Sequence, residues 1–131
     1  MESENKAMIV RIGVFSGRPN PEISLEGEPG RQLARILSES KGKEPIHPLP
    51  PAKLGEFYGY LVYTPPELAK ELSVPSEFTV YRGVVTEGGA REQKCWRDLS
   101  GIEGFLYDQA VKQGHEDLLK AFNVNRPGKS D

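Results

Sequence analysis

The chain has 131 residues, enough for one domain and hardly for two. Its 17 basic and 19 acidic side chains leave a net charge of −2, which argues against a protein whose main business is coating nucleic acid. Glycine and proline together supply 25 of 131 residues, about 19% against a typical share of roughly 12%, but short of a low-complexity chain.

No apolar run approaches the roughly 18–20 residues that cross a bilayer, so no membrane partner is expected. Met8–Val10 is too short for a signal-peptide core, and the stretch from Met1 to Lys6 is acidic and polar. The expectation is a cytoplasmic protein. A single cysteine, Cys95, fits a reducing compartment and excludes an internal disulfide. With only His47 and His115 beside it, a Cys-rich zinc site is impossible. Neither a metal nor a cofactor is expected.

Polar composition marks 1–6 and 123–131 as flexible tails around one domain, 7–122. The first element is a β-branched strand over Ala7–Phe15, with Met8, Val10, Ile12 and Val14 on its core face. Gly30–Ser40 reads as a helix, with Pro29 in its first turn. Residues 43–53 form a proline-rich connector, extended and neither helix nor central strand. Phe57–Tyr63 is the clearest strand. Thr64 and Glu67 make a capping box around Pro65, starting a helix that ends near Leu72. Phe78–Val85 is a third strand, followed by a turn over 86–89, and Arg91–Trp96 is a fourth, edge-type strand. Ser100 and Glu103 suggest a second capping box, opening a helix to about Gln113 that Gly114 stops. A last short helix covers Glu116–Phe122. The expected fold is α+β: a two-layer sandwich with a mixed, three- to four-stranded sheet covered by helices.

The most distinctive segment is Phe15-Ser16-Gly17-Arg18-Pro19-Asn20-Pro21, directly after the first strand. Two prolines fix φ and push the residues before them to extended conformations. Gly17 permits a tight turn, and Asn20 can close an Asx-type turn on nearby backbone. Such a stiff loop would hold Arg18 in place, and a positioned guanidinium beside a glycine amide suits a carboxylate or phosphate. The competing reading is that Arg18 pairs internally and the loop only routes the chain.

This segment, with Leu25 after it and Tyr58-Gly59-Tyr60 in the aromatic strand, resembles a family of small bacterial proteins sharing a Phe-Ser-Gly-Arg-Pro-Asn-Pro loop after a first strand. The resemblance covers about residues 8–63, with Ile23 standing where an aromatic residue is expected. It implies relatedness and a bacterial, intracellular setting; the family is uncharacterised, and the resemblance implies no reaction.

Gly13, Gly59 and Gly83 each fall inside an expected strand, where glycine marks a bulge or a close backbone approach. Aligned, they would form a trough flanked by Arg11, Phe15, Phe57, Tyr63, Tyr81 and Val85, either open as a ligand groove or filled by a helix. The tyrosines lack the basic groove of a base-stacking platform, so no nucleic-acid partner is expected. Surface placement explains His47, a helix N-terminus explains His115 with Glu116 and Asp117, and burial explains Cys95. A polyproline-ligand match at Pro48–Lys53 reads as a spacer. No phosphate-binding, nucleophile-elbow or zinc-helix motif occurs.

The candidate ligand-binding residues are therefore Arg18, Gly17, Arg11, Asn20, Tyr63 and Tyr81. The leading expectation is a non-catalytic binding or accessory domain that presents the arginine loop to a small anionic molecule or a protein partner. The alternative is a cofactor-independent enzyme acting on a small carboxylate or phosphate compound, with Arg18 as anion clamp. A third is a purely structural or interaction protein, such as a homodimer formed through an exposed sheet edge.

Overall fold

Alternation of apolar and polar residues along Ala7–Gly13 makes β1, and the same period over Glu22–Glu26 makes β2. The computed structural model describes residues 7–48, 50, 52–53, 55–88 and 93–127. After β2 come α1 (Glu28–Ser40), β3 (Gly59–Tyr63), α2 (Pro66–Leu72), β4 (Glu77–Tyr81), β5 (Val84–Glu87), β6 (Lys94–Arg97), α3 (Ile102–Lys112) and α4 (Glu116–Ala121). The fold is α+β, with a six-stranded sheet in the order β2-β1-β3-β4-β5-β6.

Two expectations about the sheet are corrected. It has six strands rather than three or four, and it is wholly antiparallel rather than mixed. The extra strands have identifiable causes. Glu-Ile-Ser-Leu-Glu forms β2, whose Ile23 and Leu25 are buried while its three polar residues are exposed. The expected strand over Phe78–Val85 is two strands, because Arg82 (φ 51°) and Gly83 (φ 76°) make a two-residue turn with both central residues left-handed. Gly83 is therefore a turn glycine and not a strand interior. The sheet is antiparallel between β3 and β4 because α2 is too short to carry the chain across it. The Thr64 amide donates to the Ser76 carbonyl at 2.8 Å and closes the connection at one end of the sheet.

The core lies between one face of the sheet and the helices. Met8, Val10 and Ile12 of β1, Tyr60 and Val62 of β3, Phe78 and Val80 of β4, Val85 and Trp96 meet Leu33 and Leu37 of α1, Ile102 and Leu106 of α3 and Leu119 of α4. The expected core face of β1 is thus the observed one. Val85 belongs to this face, not to the glycine-bearing one. Val124 is also buried in this core, and Arg126 makes a two-pronged pair with Asp108 at 2.9 Å. The first residues of the expected C-terminal tail therefore pack on the domain. The rest of that tail and residues 1–6 lie outside the described residues, as do parts of the turn over 86–89 and of the strand start at 91–92.

The caps differ from expectation in register. Pro65, not Thr64, is the N-cap of α2, and the Thr64 hydroxyl is buried without a partner among the described residues. Asp98, rather than Ser100, satisfies the start of α3: its carboxylate accepts from the amides of Ile102 and Glu103, both at 2.8 Å, and from that of Ser100 at 3.3 Å. The Ser100 hydroxyl donates instead to the Ile36 carbonyl of α1. The Glu103 carboxylate reaches across to the Gly83 amide at 2.7 Å and anchors the β4–β5 turn to α3.

Both sheet edges are occupied. Beyond β6, the Arg97 amide donates to the Glu44 carbonyl at 2.9 Å and the Ile46 amide to the Cys95 carbonyl at 3.0 Å. On β2, the Gln113 side-chain amide donates to the Ser24 carbonyl at 2.8 Å, between the charged Glu22 and Glu26. Charged edge residues and covering segments are how sheets avoid pairing with a second copy. No helix among the described residues is long and apolar enough to cross a membrane.

Candidate functional site

The loop after β1 is stitched by one side chain. Asn20 Oδ1 accepts from the Val14 amide at 3.0 Å and the Phe15 amide at 2.7 Å, closing the turn its position suggests. Its Nδ2 donates to the Tyr58 hydroxyl at 2.7 Å, and that hydroxyl donates to the Phe15 carbonyl at 2.6 Å. The Ile12 amide donates to the Pro21 carbonyl at 2.9 Å, so the loop leaves and rejoins the sheet at a paired position.

Arg18 sits at the tip of this loop, exposed, with its guanidinium 4.0 Å from the centroid of the Phe15 ring. This is a cation–π contact, and it fixes the side chain without neutralising it. Among the described residues no carboxylate forms an ion pair with Arg18. The Phe15 ring is backed in turn by Phe122, edge-on at 5.9 Å. Gly17 is exposed beside Arg18 with open space around it.

The glycine pair Gly13 and Gly59 lies directly across β1 and β3. A Cβ on Gly13 would meet the Tyr58 ring at 2.7 Å, so that glycine is what lets Tyr58 lie flat on the sheet. Gly59 has φ 122°, a conformation that suits glycine. The face they share is covered in part by the proline-rich connector rather than by a helix. That connector runs from its bridge with Trp96 at the β6 edge to Tyr58, whose amide donates to the Gly13 carbonyl at 2.8 Å. Between the connector and the sheet is a cavity of about 470 Å³, within the size range of small-molecule sites. Pro48, Pro50 and Ala52 line it on one side and Tyr81, Val84 and Thr86 on the other, with Tyr58, Val14 and Ser16 at one end.

The six expected site residues fall around this face in two groups. Arg18, Gly17 and Asn20 belong to the loop, and Tyr81 stands in the cavity. Arg11 borders a shallow depression together with Arg18, Glu22 and Tyr58, but its Nε is paired with Glu22 at 2.8 Å. Tyr63 lies toward the other end of the sheet, 42% exposed, in a second groove with Arg11, Leu61 and Glu77. Phe57 stacks edge-on with the buried Tyr60 at 5.1 Å.

Tyr58, expected as part of the family-like Tyr58-Gly59-Tyr60 run but not among the ligand-binding residues, is the residue that ties loop, sheet and cavity together. Among the described residues no group of three or more His, Cys, Asp or Glu side chains is placed to hold a metal ion. His47 is exposed in the connector, His115 precedes α4 as its N-cap, and Cys95 is buried with its Sγ 3.5 Å from the Thr86 hydroxyl.

Two buried ionisable groups lie on the helix side. Burial pushes the Tyr60 phenol well above its ordinary range, and Glu103 nearby adds to the effect. Burial likewise raises the Glu103 carboxyl, against the backbone N–H donors of Gly83 and Arg82, which lower it. The Glu103 carboxylate anchors the β4–β5 turn, whereas the Tyr60 hydroxyl has no partner among the described residues. No family model, curated protein or solved structure matches this chain.

Proposed function

We propose that this protein is a non-catalytic binding domain whose rigid arginine loop captures a small anionic ligand. The observation that carries the reading is the state of Arg18: charged, exposed, unpaired among the described residues, and held in position by the Phe15 ring on a loop locked by Asn20. A preorganised guanidinium loses little freedom when it takes a carboxylate or phosphate. The two-layer arrangement leaves the opposite sheet face to the connector and the ligand. The buried single cysteine accords with a reducing, cytoplasmic setting, and relatedness to the bacterial family rests on the Phe15–Pro21 loop with Leu25 and the Tyr58-Gly59-Tyr60 strand.

The enzymatic alternative places a tyrosine or a histidine beside Arg18 as acid–base, and neither His47 nor His115 lines the pockets that hold Arg18. Tyr58 is the residue within the same depression, but its hydroxyl already donates to Phe15 and accepts from Asn20. A hydroxyl committed to the fold favours binding over proton transfer. The test is a thermal-shift screen of small carboxylates and phosphates on the native chain and on Arg18→Ala. Stabilisation that the variant loses supports the reading. Equal responses from both, or none from either, contradict it.

A further inference from the structure

The Arg18 depression and the cavity beneath the connector adjoin one another. The shallow pocket holding Arg18 and Phe15 shares Val14, Ser16 and Gly55 with the cavity. The depression on the other side of the loop shares Ser16 and Tyr58 with it. Ser16 thus stands between a ligand held at Arg18 and a space of about 470 Å³.

The chemistry changes along that path. At the mouth stand the Arg18 guanidinium, without an ion-pair partner among the described residues, and, on the cavity rim, Lys53. Inside, the walls are prolines, valines and the rings of Tyr58 and Tyr81, with the hydroxyls of Ser16, Thr79 and Thr86 and the Gln93 amide as polar points, and the exposed Glu56 carboxylate beside Lys53. The Tyr58 end is rigid before any ligand arrives: its ring lies on Gly13 and its hydroxyl is held by two hydrogen bonds. The side facing Tyr81 carries Pro48 and Pro50, whose φ is fixed by their rings. Aromatic and proline faces accept a flat apolar ring at small entropic cost, and scattered hydroxyls orient it.

We infer that the ligand is a planar aromatic or heteroaromatic acid, its ring between Tyr81 and the proline connector and its carboxylate or phosphate on Arg18. This inference rests on the proposed anion-binding role of Arg18 and adds the ligand's body to it. Lys53 and Glu56 offset one another in the cavity lining, so the Arg18 guanidinium selects the anionic tail, and the apolar walls select a ring.

The test is titration calorimetry of the full chain with named probes. 3-Phenylpropionate, indole-3-acetate and phenyl phosphate carry ring and anion; acetate and inorganic phosphate carry the anion alone; 3-phenylpropionamide carries the ring alone. The aromatic acids are expected to bind at least about tenfold tighter than either partial probe, a margin typical of one buried ring or one charge-assisted hydrogen bond. The ratio of phenyl phosphate to the two carboxylates shows which anion the mouth prefers. Thr86→Phe, which fills the cavity from a half-buried strand position, should abolish that margin and leave weak anion binding intact. Arg18→Gln should cut the affinity of the aromatic acids about tenfold while leaving 3-phenylpropionamide unchanged. If aromatic acids bind no better than acetate and phosphate while Arg18 still governs anion binding, the ring site is overturned and the anion role stands. If Arg18→Gln changes the binding of no anion, the anion role falls and the joint site with it. Ring binding that Thr86→Phe leaves unchanged in a folded variant overturns the cavity assignment.

Discussion

The Asn20 side-chain amide donates to the Tyr58 hydroxyl at 2.7 Å, joining two residues 38 positions apart in the chain. That bond links the arginine loop to the end of the connector. Because the same Asn20 also receives the Val14 and Phe15 amides, one side chain sets both the shape of the loop and its docking on the sheet. Tyr58→Phe should destabilise the protein by about 1–2 kcal/mol through the loss of one donor and one acceptor contact, and Asn20→Ala by about 2–3 kcal/mol because two amides lose their partner. Urea unfolding measures both; a loss within about 0.5 kcal/mol for Asn20→Ala would show that the loop is held by something else.

Two glycines close in sequence should respond in opposite ways. A Cβ at Gly13 would lie 2.7 Å from the Tyr58 ring and 2.8 Å from the Gly59 carbonyl oxygen, whereas one at Gly17 would meet nothing. Gly13→Ala is expected to cost about 1–3 kcal/mol by overpacking and to displace the Tyr58 ring. Gly17→Ala should stay within about 0.5 kcal/mol of the native chain. Thermal unfolding of the pair decides it, and equal effects would contradict the packing of Tyr58 on Gly13.

The helix starts offer a similar contrast. Asp98→Ala removes the acceptor for the Ile102, Glu103 and Ser100 amides and should cost about 1–2 kcal/mol. Thr64→Val removes a buried hydroxyl that has no partner among the described residues and should be neutral or mildly stabilising, since no hydrogen bond is lost and a desolvated polar group is removed. Denaturant midpoints at constant slope test both. A marked loss from Thr64→Val would assign that hydroxyl a partner.

The pH dependence of stability separates two carboxylates. Burial raises the folded-state value of Glu103 above the ordinary 4.5, so between 4.5 and that higher value the folded protein retains more of the proton than the unfolded chain does. Its contribution is fully present below 4.5 and is lost as pH rises through the folded value. Glu103→Gln should therefore gain stability relative to the native chain as pH climbs from about 4.5 toward neutrality. Asp108 is opposite: hydrogen bonding to Arg126 lowers it below 3.8, so its contribution is present above that value and lost as pH falls through the lower, folded one. Asp108→Asn should differ from the native chain only above that range, and by little, because the pair is exposed. Unfolding curves across pH 3–8 measure both slopes; a Glu103→Gln difference that is flat with pH would contradict the burial argument.

Much of this architecture was legible in local sequence. Pro-Asn-Pro after a β-branched strand announces a stiff turn, and Asn20 closes it as its chemistry suggests. The helices lie close to where their apolar spacing and flanking Pro29, Pro75 and Gly114 place them. What local reading missed depends on partners distant in sequence or on unusual residues. The β4–β5 turn was hidden because arginine rarely takes a positive φ, and Arg82 does so here with Gly83 held by Glu103, twenty positions on. The β2 strand was hidden by its brevity and its three polar edge residues. Asp98 outcompetes Ser100 for the start of α3 because Ser100 is drawn to α1, 64 positions away. Tyr58 carries its meaning only once Gly13 and Asn20 surround it. At the site, the arginine loop was visible in sequence, whereas the cavity beside it depends on where the connector crosses the sheet.

The most direct measurement is an NMR titration that follows the Arg18 Nε–H resonance as 3-phenylpropionate is added, with inorganic phosphate as a second titrant. Arg18 as the anion anchor predicts a saturable shift of that resonance, accompanied by the Gly17 amide and absent from Arg11, whose Nε is already paired with Glu22. An Arg18 resonance that stays fixed while other residues saturate, or a shift that grows linearly without saturation for every anion, would contradict it.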